Sequence, residues 1–264
     1  MQYKFDKQNH IHTLDGQPLI GTSSMSNVLA KPLTWWASGL ACEKFGWINK
    51  GNKTKGFTPK DKRLSSVKKF LKKAPVDDPE KWLTLCDEAY SAHATKLKTS
   101  ASGGTDMHEV MEGYVKYCIE QYNGEPVNIT EDNPKLIMFK EWAIKNVKKF
   151  IISEAHCFSK EYWLGGIIDC VYEDMEGKLV VLDFKSSKEV YLSQFWQCVG
   201  YSIQLEENGA YTSDGELLLK LDKPIDYVAV LPFGMKKPDV QFNYDMKGGR
   251  EAVLAMITLY KKLN

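Results

Sequence analysis

Asp183 and Lys185 stand two residues apart at the end of the apolar run Val180-Val-Leu-Asp-Phe-Lys185. On a strand, that spacing puts both side chains on one face, roughly 7 Å apart at the backbone. Asp169, in Gly165-Gly-Ile-Ile-Asp169, brings a further carboxylate into the preceding apolar run. A buried carboxylate is costly without a partner, so two of them beside a lysine suggest a shared cation. Oxygen ligands suit Mg²⁺ or Mn²⁺, which take one or two carboxylates, several waters and a substrate phosphate. The carbonyl of Phe184 can add a ligand. Lys185 is then placed to orient an attacking water, help it lose a proton, or stabilise charge building at phosphorus. That chemistry is metal-assisted phosphodiester hydrolysis.

Alone, an Asp-x-Lys triplet reads first as an ion pair at a strand end. Three further features raise its weight. Asp169 falls on the neighbouring strand of an expected hairpin. His108 and Glu112 are four apart on an expected helix and share a face; the imidazole is a candidate metal ligand, although a lone helix histidine is more often structural. Gln197 and Tyr201 are also four apart, on the helix expected after the Lys185 strand. They are either a polar rim or support for the same cleft.

Residues 1–30 read as a short strand or two, a turn at Asp15–Gly21, and the start of a helix. Helices are expected near 34–48, 63–73 and 79–98, with a glycine- and lysine-rich loop at 49–62. From Thr105, a plausible cap, Met107, Val110, Met111, Tyr114, Val115 and Cys118 mark an amphipathic helix. Another helix follows at 133–150. Strands are expected at 154–163, 166–173 and 178–184, the last two joined by a tight turn at Glu173–Gly177. A helix at 191–206, a strand at 225–231 and a closing helix at 246–263 complete the pattern. This is an α/β (α+β) class with a mixed central sheet flanked by helices. Residues 1–103 are expected to form a mainly helical basic lobe and 104–264 the core.

No run approaches the eighteen or so apolar residues of a membrane helix. The first residues carry acids and no apolar core, so neither a signal nor a transit peptide is expected, and the expected location is cytoplasmic. The six cysteines are scattered without a CxxC pair and read as free thiols, mostly buried. Net charge is +1, yet Lys44 to Lys73 holds ten lysines and one arginine against one acid, Asp61. Such a block is a solvated loop or a landing strip for a polyanion.

Taken in order, Gly104-Thr-Asp-Met-His108 with Glu112, Gly165-Gly-Ile-Ile-Asp169, Leu182-Asp-Phe-Lys185 and Gln197-Cys-Val-Gly-Tyr201 resemble the RecB-type branch of the PD-(D/E)XK nucleases. The span from Glu154 to Lys188 is especially similar to mitochondrial genome maintenance exonucleases and their bacteriophage-encoded relatives. The resemblance covers about 104–201 and is weaker before it. It implies that His108, Asp169 and Asp183 bind one or two Mg²⁺ or Mn²⁺ ions and that Lys185, with both aspartates, is catalytic. Gln197 and Tyr201 would support the site or touch the strand, and Glu112 would act around it. Glu154 and Glu161 are further acids to which no role is given. Relatives with an iron–sulfur cluster carry cysteines after the Gln-Tyr helix. This chain has none after Cys198, so no cluster is expected.

Against an acidic site the basic block gains a purpose, because something must draw in phosphates. Lys53, Lys55, Lys60, Lys62 and Arg63 are candidates to track a nucleic-acid backbone, and Trp35 and Trp36 to stack on bases. Either tryptophan is equally a core residue. With two arginines in all, phosphate tracking is favoured over base reading. The expected function is a DNA exonuclease working from ends, with single strands preferred, in recombination, repair or replication. The alternatives are a flap or structure-specific endonuclease on the same fold and a non-catalytic nucleic-acid-binding subunit.

Overall fold

The computed structural model describes residues 2–29, 34–47, 58–75, 77–130 and 132–264, with the backbone alone described at 34–35 and 97–106. It divides into two compact units. One comprises residues 1–30 and 104–264, and the other residues 31–103.

In the larger unit, β1 (Tyr3–Asp6), β2 (Ile11–Leu14) and β3 (Gln17–Pro18) form a small antiparallel sheet. Next come β4 (Ile20–Gly21), a short helix α1 (Thr22–Met25) and a 3-10 turn at Ser26–Leu29. In the smaller unit, α2 (Thr34–Lys44) and α3 (Lys60–Leu71) precede α4 (Pro79–Tyr122). Phe45 meets Phe70 and Trp82 at ring-centroid distances of 6.3 and 5.9 Å. Lys44 pairs with Glu88 at 2.9 Å.

α4 is continuous, where the sequence suggested a break before a cap at Thr105. The apolar pattern from Met107 with Thr105 as a cap prompted that reading, and Gly103 and Gly104 fall just before it. A mid-helix glycine costs about 1 kcal/mol against alanine, too little to end a helix of 44 residues.

The rest of the larger unit is α5 (Pro134–Asn146), β5 (Val147–Ser159), β6 (Leu164–Asp174), β7 (Leu179–Lys185), α6 (Leu192–Asn208), β8 (Ala210–Tyr211), β9 (Leu217–Leu219), β10 (Tyr227–Pro232), β11 (Gln241–Asn243) and α7 (Met246–Leu263). Local chemistry sets several bounds. Asn133 caps α5 by accepting from the Lys135 and Leu136 N–H groups, with Pro134 at the first helical position. Asp245 caps α7 through the Gly248 N–H at 2.8 Å. The helix expected to reach residue 150 ends at Asn146, because Val147, Phe150 and Ile152 are buried in a strand. The turn between β6 and β7 is closed by Gly177 at φ 82° and by Asp174 Oδ1, which accepts from the Glu176 and Lys178 N–H groups.

An eight-stranded mixed sheet runs β11-β10-β7-β6-β5-β8-β9, and β4 pairs parallel with the start of β6. β7 and β10 are parallel, while β5–β6 and β6–β7 are antiparallel. Strand side chains alternate between two apolar layers, as the two-residue period requires. Val171, Val181, Val228 and Val230 pack with Cys198, Val199 and Val253 of α6 and α7. Cys170, Tyr172, Val180, Leu182, Phe184 and Ala229 pack with Met111, Val115 and Phe139 of α4 and α5. The class is a mixed α/β fold with helices on both faces of the sheet.

The sequence reading assigned residues 1–30 to the helical lobe. They cluster instead with residues 104–264. β4 adds a strand beside β6, and Tyr3, Leu14 and Leu19 pack with Phe158. These contacts join residues about 140 or more positions apart, which no local pattern signals.

Candidate active site

β6 and β7 separate at the point where the charged residues stand. Their ladder runs from Glu173–Leu179 to Cys170–Leu182, so the next positions across the hairpin are Asp169 and Asp183. Beyond them β6 gains β4 as its neighbour, at Leu164 and Gly165. The sheet is therefore forked, and the two aspartates sit at the crotch of the fork. The Phe184 N–H, lacking a ladder acceptor there, donates to Asp169 Oδ2 at 2.7 Å. In a strand the N–H and C=O of one residue point the same way, so the Phe184 carbonyl faces the fork too.

Asp183 is 1% exposed and Asp169 9% exposed. Lys185 Nζ lies 2.5 Å from Asp183 Oδ2, an oxygen that receives no well-directed hydrogen bond. Burial pushes the Asp183 carboxyl up to about 7; Lys185 opposes that rise and the Asp169 charge adds to it. Burial also opposes the Lys185 charge, but Asp183 and Asp169 outweigh it and hold the ammonium up at about 12. The pair is thus a buried carboxyl whose raised pKa its own lysine only partly offsets, with a second carboxylate alongside.

His108, on α4, lies with its ring edge-on to Phe184 at 5.7 Å between centroids. Its Nε2 is 3.0 Å from Asp169 Oδ2. Burial works against a charged imidazole, yet the hydrogen bond and charge of Asp169, with Asp183 and Glu112 behind it, raise the His108 pKa above its ordinary value. The structure therefore brings His108, Asp169, Asp183, Phe184 and Lys185 together.

On α6, Gln197 Nε2 donates to Tyr201 Oη at 2.6 Å. Tyr201 is nearly buried, and burial together with the Asp183 and Asp169 charges pushes its hydroxyl well up. Its ring lies against Gly166, where a Cβ would come within 2.5 Å of Tyr201 Cε1. That glycine was legible only as part of a motif; its need for a missing side chain becomes clear once α6 is seen over β6.

Glu112, whose charge reaches His108, also holds a cation of its own. It pairs with Lys116, which also reaches Glu154 Oε2 at 3.5 Å. Burial, then a hydrogen bond to Glu112 and the Glu112 charge, raise the Glu154 carboxyl, and Glu154 sits at φ 48° within β5. Glu161 is exposed in the turn before β6.

In the smaller unit, Trp36, Lys60 and Lys62 are exposed, and Arg63 Nε donates to the Thr58 carbonyl at 2.8 Å. Lys53, Lys55 and the side chain of Trp35 lie outside the described residues. A cavity of about 290 Å³ lined by Tyr172, Asp174, Lys178, Tyr227 and Phe242 lies at the other end of β6 and β7, away from the aspartates.

Among the described residues, no group of three or more His, Cys, Asp or Glu side chains is placed to hold a metal ion. The donor set nonetheless fits a hard divalent cation. It offers two carboxylates, a strand carbonyl and an imidazole, and one carboxylate oxygen lacks a well-directed hydrogen bond. His108 Nε2 and Asp169 Oδ2 lie 3.0 Å apart, and both are atoms that could serve as ligands to such a cation. All six cysteines are free, with Cys118, Cys157, Cys170 and Cys198 buried. No helix among the described residues is long and apolar enough to cross a membrane. No protein-family model and no curated protein matches this chain.

Proposed function

We propose that the protein is a Mg²⁺- or Mn²⁺-dependent DNA exonuclease built on a PD-(D/E)XK core. The observation that carries the proposal is the fork between β6 and β7. It sets Asp169 across from Asp183, with Lys185 2.5 Å from Asp183 and His108 3.0 Å from Asp169. A structural ion pair at a strand end needs neither the second carboxylate nor the imidazole.

Asp169, Asp183 and the Phe184 carbonyl would hold the cation, with His108 at its edge. When bound, the cation supplies Lewis-acid polarisation of the phosphate and a more acidic attacking water. The chain's own residues supply placement and charge. Lys185 carries a positive charge in a nearly dry site, where it is worth far more than in water, and directs it toward the non-bridging oxygens as negative charge builds. The Phe184 N–H fixes the orientation of Asp169. The Gln197–Tyr201 pair lies on α6, near enough for the Asp183 and Asp169 charges to raise the Tyr201 hydroxyl, and would support that side of the site.

The test is digestion of end-labelled linear and circular DNA, single- and double-stranded, with Mg²⁺, Mn²⁺ or chelator. Linear single strands are expected to be shortened from an end, only with metal. Asp183→Asn is expected to lower turnover at least 10³-fold while DNA binding persists. Equal turnover by Asp183→Asn would overturn the proposal in favour of a binding protein. Cutting of circular single strands would make the enzyme an endonuclease.

A further inference from the structure

Two loops leave the sheet at the level of the fork. β7 and β10 are parallel and in register, with Phe184 beside Leu231 and Lys185 beside Pro232. The segments that follow, 186–191 and 233–239, therefore emerge side by side. They are packed backbone against backbone: a Cβ on Gly234 would lie 2.1 Å from the Ser186 carbonyl oxygen and 2.4 Å from that of Ser187. The first loop is also fixed internally. Ser187 Oγ donates to the Glu189 carbonyl at 2.7 Å and accepts from Gln194 Nε2 at 3.2 Å.

Three exposed lysines ride on these loops, Lys188, Lys236 and Lys237. None makes an ion pair among the described residues. The loops also carry two acids. Glu189 is approached by the Tyr191 hydroxyl at 3.5 Å, and Asp239 is exposed. Tyr191 itself is 54% exposed.

We infer that these paired loops grip the phosphates of the DNA strand beside the cleavage site, with Lys188, Lys236 and Lys237 as the phosphate contacts. Ligands of such sheets bind beyond the carboxyl ends of parallel strands, which is where both loops start. Phosphates entering next to Asp169 and Asp183 meet repulsion from the carboxylates, and unpaired ammonium groups at the lip offset it. The Gly234 contact holds the lysine loop to the segment directly after Lys185, so the grip and the reacting end of the site share one backbone support. Lysines without an arginine fork read charge and not base identity, so the grip is independent of sequence. This inference rests on the proposed nuclease activity and adds a contact surface inside the larger unit to the basic segment of the smaller one.

The experiment measures binding of a fluorescent single-stranded oligonucleotide, at several salt concentrations, by wild type, Lys236→Ala/Lys237→Ala and a control, Lys261→Ala/Lys262→Ala, in the last turn of α7. Cleavage by wild type is followed in parallel. Losing two phosphate contacts should raise Kd about tenfold at moderate salt and flatten the log–log salt slope by about 1.4, at about 0.7 per contact on a single strand. The control should match wild type. If wild type cleaves DNA but the Lys236/Lys237 variant keeps its Kd and slope, the grip is wrong and the nuclease stands. If wild type neither cleaves nor binds, both fall.

Discussion

Gly166 shows how tightly individual residues are set around the fork. A Cβ there would stand 2.5 Å from Tyr201 Cε1 and 2.8 Å from Thr22 Oγ1. Gly166→Ala should therefore cost about 1–3 kcal/mol as an overpacked core site, read as a lower urea midpoint with an unchanged slope. A midpoint equal to wild type would mean that Tyr201 yields without strain. Residues of this kind differ in how far the sequence reveals them. Asp183 and Lys185 were legible because a strand's two-residue period fixes their shared face. Asp169 followed once the hairpin was drawn. The His108–Asp169 contact joins α4 to β6, and nothing local encodes it beyond motif order. Glu112, placed by the same helical spacing as His108, turned out to serve Lys116, because spacing gives a face and not a partner.

At the scale of elements, the β1–β2 hairpin is held to β5 by an acid-sensitive joint. Tyr3 Oη lies 2.6 Å from His12 Nδ1 and 3.0 Å from His156 Nδ1. The hydroxyl can donate to one ring and accept from the other only while at least one is neutral. Burial first, then mutual repulsion with His156 and His10, lowers His12 to about 3. Burial, then Lys7 and His10, lowers His156 to about 4, with Asp214 opposing. Both folded values lie below the unfolded value of about 6.5. The neutral rings thus contribute their full stability above pH 6.5, and it is lost as pH falls toward 3–4. At pH 5 the loss is on the order of 2 kcal/mol per histidine. The Tm should fall from pH 7.5 to 5, and His156→Gln should fall less over the same interval. Parallel curves for the two proteins would sink the idea. Elements were legible wherever periodicity was long, as in α6, α7 and β6–β7. They were misread where a weak signal met a stronger tertiary term: the glycines inside α4, and the lysine-rich start of β5.

On the scale of the whole molecule, the larger unit draws on both ends of a 73-residue insertion, residues 31–103. Its N-terminal portion is integral. Thr22 Oγ1 donates to the Gly165 carbonyl at 3.0 Å and accepts from Gln204 Nε2 at 2.7 Å, a bond spanning 182 positions. Met25 is fully buried among α6, β5 and β6 residues. A chain beginning at Gly104 should fail to reach a cooperative fold, seen as loss of near-ultraviolet circular dichroism and of a sharp melting transition. A sharp transition would show that β4 and α1 are dispensable. The mixed α/β class and the β6–β7 hairpin were readable from residues 105–263, while the order of strands in the sheet and this long-range closure were not, since contacts so distant leave no periodic trace. The small turn at Asp174–Lys178 carries a final consequence. Its last residue lies roughly 17 Å from Asp183 along β7, yet its length bears on the register of the pairing. If one residue more or fewer slipped the pairing by one, Asp183 and Lys185 on β7 would turn toward the layer built by Met111 and Phe139 and away from Asp169 on β6. Lineages descending from this chain can vary Met175 and Glu176, but Asp174 and Gly177 hold the bend, and a length change that slips the register is open to them only in pairs of residues.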